Sequence, residues 1–417
     1  MRRIKAISNL LILIFLTYSC SYSDDSGSND NVNEADKHPE LAHVTYFIEN
    51  SGGMFGYVSK FNNYISSVSE IAQKPDFVSS GISQQFYFIN GFDGVVLTDL
   101  GSNAGVFTSK LNEKDYNVGN IQGNDLNRMF QIALETTSRD SVSVFITDAI
   151  YDIQDKDNPM NALIVESRET RRQFISGLNL ERGIQTLIVK INSHFEGTYY
   201  YGNQFGRTEI SMDRPFYMFF FGHSELLNEY LHDSYLMNLD GYENHVRYFV
   251  SDDYNIEYAA SSHNQEGAFT YGSGGKTTLR NVRPGKDGSL QFSVMADLSE
   301  ITFPESYLMD TSNYELSSGL SIKSIEPYRS DIVTGIYSFT PTHIFTVRAA
   351  NPKGALNIKL QKNSPQWIAE SHTDDDQNIE SLSSKTWGLS YLISGIEGAY
   401  MHTNRKDYVI NMQINID

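Results

Sequence analysis

The sequence contains a single cysteine, Cys20, among its 417 residues. A disulfide within the chain is therefore excluded, although a secreted protein would be free to form one. Because no covalent cross-link can hold the fold together, its stability has to come from the burial of apolar side chains.

Basic residues are also scarce. The 32 Lys and Arg residues stand against 51 Asp and Glu residues, which gives a formal net charge of −19. Removal of the first 19 residues takes away three basic residues and no acidic one, so 29 basic and 51 acidic residues remain, a net charge of −22. A strongly acidic body repels polyanions, which disfavours nucleic acid and anionic lipid as partners.

The first twenty residues have the pattern of a secretory signal. A basic start and an apolar run over residues 10–16 precede Cys20, which directly follows the small residue Ser19. The apolar run is too short to span a bilayer. Residues 1–20 resemble a bacterial lipoprotein signal peptide, which implies cleavage before Cys20 and attachment of acyl chains such as palmitate to it. The alternative is an ordinary secretory signal in which the cysteine has no role.

Residues 21–41 predict a disordered acidic tether. They contain almost no apolar side chain, so they cannot bury enough surface to offset their chain entropy. The pair Asp24-Asp25 is similar to the signal that exports some Gram-negative lipoproteins to the cell surface. We therefore expect a protein of the bacterial cell envelope, held on the outer membrane by a lipid anchor and surface-exposed if that signal acts.

A change in the pattern of apolar residues divides the rest of the chain into two predicted regions. Over residues 42–235, apolar runs alternate with segments of helical period, which predicts an α/β domain with a mostly parallel sheet flanked by helices. Over residues 236–417, alternating strands are separated by turn residues, which predicts a β-rich, sandwich-like region with one late helix. The strands expected in the first region are Val44–Ile48, Gln85–Ile89, Ser143–Ile146, Thr186–Ile191 and Phe216–Phe221.

Three segments of the first region carry polar residues at strand or helix ends. A buried strand runs into Glu49, Ser51 and two glycines, Asn124-Asp125 precedes an amphipathic helix, and Asp148 ends another strand. In this order the segments resemble the loops of a von Willebrand factor A domain. That resemblance implies a divalent cation, Mg²⁺ or Ca²⁺, bound by oxygen atoms of these residues: Glu49, Ser51, Asn124, Asp125 and Asp148.

The departures from the family pattern leave a second interpretation open. Glu49 replaces an aspartate and Gly53 removes a hydroxyl, whereas Mg²⁺ requires near-ideal octahedral geometry. An added charge at Asp125 would favour the more tolerant Ca²⁺. In the alternative, the loop is a degenerate scaffold, in which Ser51 caps a helix and Asp148 binds neighbouring amides.

Motifs for chemistry are few. No His-Glu-x-x-His pair, Gly-x-Ser-x-Gly elbow or phosphate-cradling glycine loop is found. An enzyme is thus unsupported, although Ser51, or a metal held by Glu49, Asp125 and Asp148, would suit a hydrolase. The run Asp374–Asp376 is expected to be a solvated turn.

Aromatic residues offer a further candidate surface. Tyr199, Tyr200 and Tyr201 lie between two glycines and are expected to be exposed, where tyrosines contact sugars or protein partners. Only two tryptophans are available for stacking, which weakens a glycan partner. The prediction is a cell-envelope lipoprotein that binds or scaffolds a protein partner; the alternatives are a hydrolase and a surface glycan-binding lipoprotein.

Overall fold

The computed structural model describes most of the chain after the predicted tether. Cys20, the signal peptide and the tether up to residue 39 lie outside the described residues. Within the described part, no helix is both long and apolar enough to cross a membrane. The described residues are 40–74, 81–180, 183–250, 256–272, 275–299, 301, 303, 305–331, 337–361, 364–404 and 408–417.

A seven-stranded mixed sheet organises the first region. The strands lie in the order β3-β2-β1-β4-β6-β5-β7. Strand β1 pairs in parallel with β2 and β4, and the other four pairings are antiparallel. The bounds are β1 His43–Glu49, β2 Ser83–Asn90, β3 Val96–Gly101, β4 Ser141–Thr147, β5 Ile184–Tyr200, β6 Arg207–His223 and β7 Tyr242–Tyr248.

The prediction of a mostly parallel sheet is therefore wrong. The expected strands Thr186–Ile191 and Phe216–Phe221 are real, but they belong to one long hairpin whose arms pair from Ile184 to Tyr200. Only six residues join the arms, and a parallel pair would need a crossover of a dozen or more. The sequence showed the apolar half of each arm and not the polar half that continues to the turn.

Helices cover both faces of this sheet, because its central strands are apolar on both sides. Tyr46 and Ile48 of β1 belong to one core and Phe47 belongs to the other. The predicted amphipathic helix after Asp125 is confirmed, with its apolar face buried. The helices are α1 Asn63–Ala72, α2 Ala104–Ser109, α3 Glu113–Tyr116, α4 Leu126–Thr136, α5 Pro159–Leu180, α6 Ser224–Tyr230 and α7 Asp233–Leu236.

Two further sheets share one apolar core in the second region. One has the order β12-β15-β18-β10-β9 and the other the order β13-β14-β11-β8. A short helix, α8, lies at Glu305–Met309. The strands are β8 Tyr258–Glu266, β9 Ala268–Gly272, β10 Gly275–Arg283, β11 Leu290–Ala296, β12 Tyr314–Leu316, β13 Leu320–Pro327, β14 His343–Ala349, β15 Gly354–Gln361 and β18 Tyr408–Ile416.

Between β15 and β18 the chain returns to the first sheet. This segment contains α9 Gln366–Glu370, the short parallel pair β16 His372–Thr373 and β17 Thr386–Trp387, and α10 Leu389–Asn404. Apolar residues of α10 share a core with α4 and α5. Strand β7 and this segment therefore pack with the first sheet, although they follow the predicted boundary near residue 235.

Candidate functional site

A cavity of about 310 Å³ lies at the carboxyl ends of β1 and β4. These strands are parallel neighbours, so the loops that follow them meet at the same edge of the sheet. The β5–β6 hairpin closes another side. Among the residues that line the cavity are Ser51, Gly53, Asn124, Asp148, Asp152, Lys156, Tyr199, Tyr200 and Tyr201.

The structure thus brings together most residues that the sequence singled out. Glu49 lies behind this lining, completely buried at the end of β1. The Ser51 hydroxyl donates to Glu49 Oε1 at 2.6 Å, and the Asn124 amide donates to the same oxygen at 2.8 Å. The Thr147 hydroxyl donates to Oε2. Both carboxylate oxygens of Glu49 are therefore engaged by protein donors.

Burial raises the pKa of Glu49, and the hydrogen bonds from Ser51, Thr147 and Asn124 oppose that shift. Burial, together with the nearby Glu49, also raises the pKa of Asp148 to about 8. At neutral pH a proton is therefore held in this pair of acids, because two charges in a poorly hydrated space would repel each other.

The backbone around Asp148 is unusual. Its Oδ1 accepts a hydrogen bond from the Ile150 amide at 3.0 Å, while Ala149 between them has φ of 60°. A non-glycine residue rarely adopts this left-handed conformation, and such residues concentrate at functional sites. Asp148 Oδ2 lies 3.3 Å from the position of a β-carbon at residue 53, so Gly53 leaves room for the carboxyl group.

Buried amides fix the loop that carries Asn124. The Asn50 side chain donates to the carbonyls of Tyr116 and Val118, and the Asn90 side chain donates to Asn50 Oδ1. Asn90 Oδ1 in turn accepts from the Asn120 amide. These bonds tie the loop across the ends of β1 and β2, which explains why residues far apart in sequence share one wall.

Asp125 does not join the predicted set. Its carboxylate caps α4 by accepting from the Arg128 amide at 3.0 Å, and it faces a second, neighbouring cavity. Asn124 is the residue that reaches Glu49. Its Nδ2 is engaged by Glu49 and by the Ile150 carbonyl, whereas its Oδ1 is buried without a partner among the described residues.

The three tyrosines have different environments. Tyr200 is 45 % exposed and Tyr201 is half-buried, as a ligand platform requires. Tyr199, expected to be exposed, is buried: its hydroxyl donates to Asp376 at 2.8 Å and the guanidinium group of Arg214 lies over its ring. Tyr199 therefore supports the hairpin instead of facing the cavity with its hydroxyl.

Asp376 and Trp387 support the same hairpin, and sequence reasoning missed both roles. Asp376, expected in a solvated turn, is completely buried and also accepts from the Gly202 amide at 2.7 Å. The ring of Trp387 occupies the space beside Gly202 where a side chain would lie. Both residues are more than 170 positions from Gly202, so no local pattern could have revealed these contacts.

Lys156 is a further unpredicted residue of the cavity. Its ammonium donates to the Gly202 carbonyl at 2.7 Å. Burial lowers the pKa of Lys156, while Asp152 and Asp376 oppose that shift. The only sequence signal was a lone lysine in an acidic loop, Asp152–Asp157.

The bound cation stays a prediction. Among the described residues, no three His, Cys, Asp or Glu side chains lie close enough together to hold a metal ion. A cation on Glu49 would require Ser51, Asn124 and Thr147 to turn their donors away. Among the described residues, Asn124 Oδ1 is a buried oxygen left without a hydrogen-bond donor.

Comparisons with protein-family models and with curated proteins find no match for this chain. The sheet is not clearly that of a von Willebrand factor A domain either, because β5, β6 and β7 are all antiparallel to their neighbours. The resemblance rests on the motifs alone.

Proposed function

We propose that this protein is a cell-envelope lipoprotein, anchored through Cys20, that binds a ligand in the cavity at the ends of β1 and β4. One observation carries the proposal: three distant parts of the chain, around Ser51, Asp148 and Tyr200, converge on this cavity. The strained backbone at Ala149 and the buried acids beside it add support, since such features cost stability and persist where a site needs them. The sequence leaves two classes of partner for this cavity, a protein that inserts a group here and a glycan.

Binding is a better account than hydrolysis. Ser51 is 4 % exposed, and its hydroxyl is committed to Glu49. None of the described lining residues is a histidine, the residue that most often activates a serine. The hydrolase alternative predicts turnover of generic esterase, phosphatase or glycosidase substrates that is lost in Ser51→Ala.

A cavity-filling variant tests the proposal. Gly53 has an ordinary φ and faces Asp148, so Gly53→Leu should fill the cavity without backbone strain. Gly105, exposed on α2, provides the matched control Gly105→Leu. A ligand from an envelope extract that binds the wild type and Gly105→Leu, but not Gly53→Leu, supports the proposal. Equal binding by all three proteins would contradict it.

A bound Mg²⁺ or Ca²⁺ is a separate proposal, favoured by the partnerless Asn124 Oδ1. If the cation binds, millimolar amounts of either ion should raise the melting temperature of the wild type, whereas a degenerate loop, in which both Glu49 oxygens stay engaged by protein donors, predicts no change. An ion that binds only the folded state at a hundred times its Kd would stabilise by about 2.7 kcal/mol. A rise in melting temperature that is lost in Asp148→Asn and retained in Asp125→Asn would establish the bound cation.

A further inference from the structure

We propose that the cavity binds an uncharged, polyhydroxylated ligand, a sugar residue of a glycan. This inference rests on the proposed function, because it names the chemical class of ligand for the same cavity. It follows from three properties of the lining: paired donors and acceptors, tyrosine rings at the mouth, and a fixed hairpin.

The polar groups of the lining include both donors and acceptors. The carboxylate of Asp152 and the ammonium of Lys156 lie near each other: burial raises the pKa of Asp152, and the Lys156 charge opposes the shift. A ligand of either charge would meet a group of its own sign here. A hydroxyl both donates and accepts, so it can bind both groups at once.

The mouth of the cavity has an aromatic surface. Tyr200 is 45 % exposed while lining the cavity, and its ring lies 3.4 Å from the position of a β-carbon at residue 52. The ring therefore lies close to the loop after β1. A tyrosine ring offers an apolar face to the C–H groups of a sugar, while its hydroxyl stays hydrated.

The hairpin that carries these rings is fixed before any ligand arrives. Asp376 accepts from Tyr199 and Gly202, and Asp375 Oδ1 accepts from the Asn203 amide group at 2.7 Å. A preformed wall reduces the entropy lost on binding. The cavity volume of about 310 Å³ lies at the small end of ligand sites, which suits one or two sugar units better than a folded protein surface.

The test uses the mature, full-length protein on a glycan array and a peptide array, followed by calorimetric titration. The glycan array carries neutral, sialylated and sulfated glycans. We expect binding to neutral glycans, an affinity lowered at least about tenfold in Tyr200→Ala, and a smaller loss in Tyr200→Phe, which keeps the ring. The control is Tyr271→Ala on β9, because Tyr271 lies outside the cavity and has a similar exposure of 42 %. The affinity of this variant for neutral glycans should equal that of the wild type.

The outcomes separate this inference from the proposed function. A peptide that binds in place of glycans, and is lost in both Tyr200→Ala and Gly53→Leu, would overturn the sugar but keep the cavity as the site. A preference for sialylated or sulfated glycans would likewise overturn the uncharged ligand. Neutral-glycan binding that survives both substitutions would overturn the cavity itself, and no binding on either array would overturn the inference.

Discussion

Glu49 lies where the motif resemblance implies a metal ligand, yet its two oxygens accept hydrogen bonds from Ser51, Asn124 and Thr147. The carboxyl group thereby connects the ends of β1 and β4 with the loop before α4. Burial raises the pKa of both Glu49 and Asp148, which opposes the accumulation of negative charge that would attract a cation.

Asp148 should make stability depend on pH. Its pKa is raised from 3.8 to about 8, so its contribution is complete below pH 3.8 and is lost as the pH rises through about 8. The melting temperature of the wild type should fall between pH 5 and 9, and the fall should be smaller in Asp148→Asn. Thermal unfolding at constant ionic strength measures this dependence of the melting temperature on pH. Asp125→Asn, which keeps a helix-capping residue, should retain the wild-type slope; equal slopes in all three proteins would refute the assignment.

Part of the site could be predicted at this scale. Ser51 and Asp148 follow buried strands, and adjacent parallel strands bring their carboxyl ends together. The sequence could not show which member of the Asn124-Asp125 pair faces Glu49 and which caps α4, because a shift of one position along the chain exchanges the two roles. The exposure predicted for Tyr199 was wrong, since the acceptor of its hydroxyl, Asp376, lies 177 residues away in the chain.

Among the elements, the contact between α5 and α10 depends on small residues. A β-carbon at Gly395 would lie 2.5 Å from the Ser167 carbonyl oxygen, whereas one at Gly398 would meet only the flexible side chain of Arg171, at 3.2 Å. The sequence predicted a late helix over 387–400 but not this partner, because the pattern of a helix shows which residues are apolar and not what covers them.

Gly395→Ala should therefore destabilise the protein. Alanine normally favours a helix over glycine by about 1 kcal/mol, but here the clash forces α5 and α10 apart, and we expect a net loss of about 1–3 kcal/mol. Gly398→Ala in the same helix is the control and should be neutral or stabilising by up to about 1 kcal/mol, because only the flexible Arg171 side chain has to move. Urea unfolding monitored by circular dichroism measures both. A stabilised Gly395→Ala protein would mean that the helices pack less closely.

In the whole molecule, chain order and spatial order differ. Strand β7, which follows residue 235, belongs to the first sheet, and helix α10 packs in the core on one face of that sheet. In the sequence, however, α10 lies between β15 and β18, two strands of the second region. The hydrophobic pattern along the sequence predicted a mostly parallel sheet, which the mixed seven-stranded sheet contradicts. It could not show that a late segment returns, since such contacts leave no local signature.

A protein truncated after residue 235 should consequently fail to fold cooperatively. It would lack β7 and α10 and expose the apolar core that α10 shares with α4 and α5. We expect strong binding of a hydrophobic dye and a broad thermal transition, compared with the sharp transition of the chain from residue 40 to 417. A single sharp transition of the truncated protein would show instead that residues 40–235 hold a complete core.

The lipid anchor is tested at the same scale. If Cys20 is acylated, a fatty-acid probe fed to cells should label the wild type and not Cys20→Ala, and the variant should leave the outer-membrane fraction. Two or three acyl chains bind a membrane durably, at about 0.8 kcal/mol per buried CH₂ group. The control is Ser23→Ala in the tether, which should label normally. Unchanged labelling of Cys20→Ala would end the lipoprotein interpretation.

The position of Trp387 has an optical consequence. Its indole lies against Gly202 and near the ammonium of Lys156, and it is one of only two tryptophans in the chain. With Trp367 changed to phenylalanine and excitation selective for tryptophan, the emission of the protein would come from this one ring, directly behind the wall that holds Tyr200. Trp387 is thus an intrinsic fluorophore, whose emission wavelength and intensity report changes in the hairpin without any added dye.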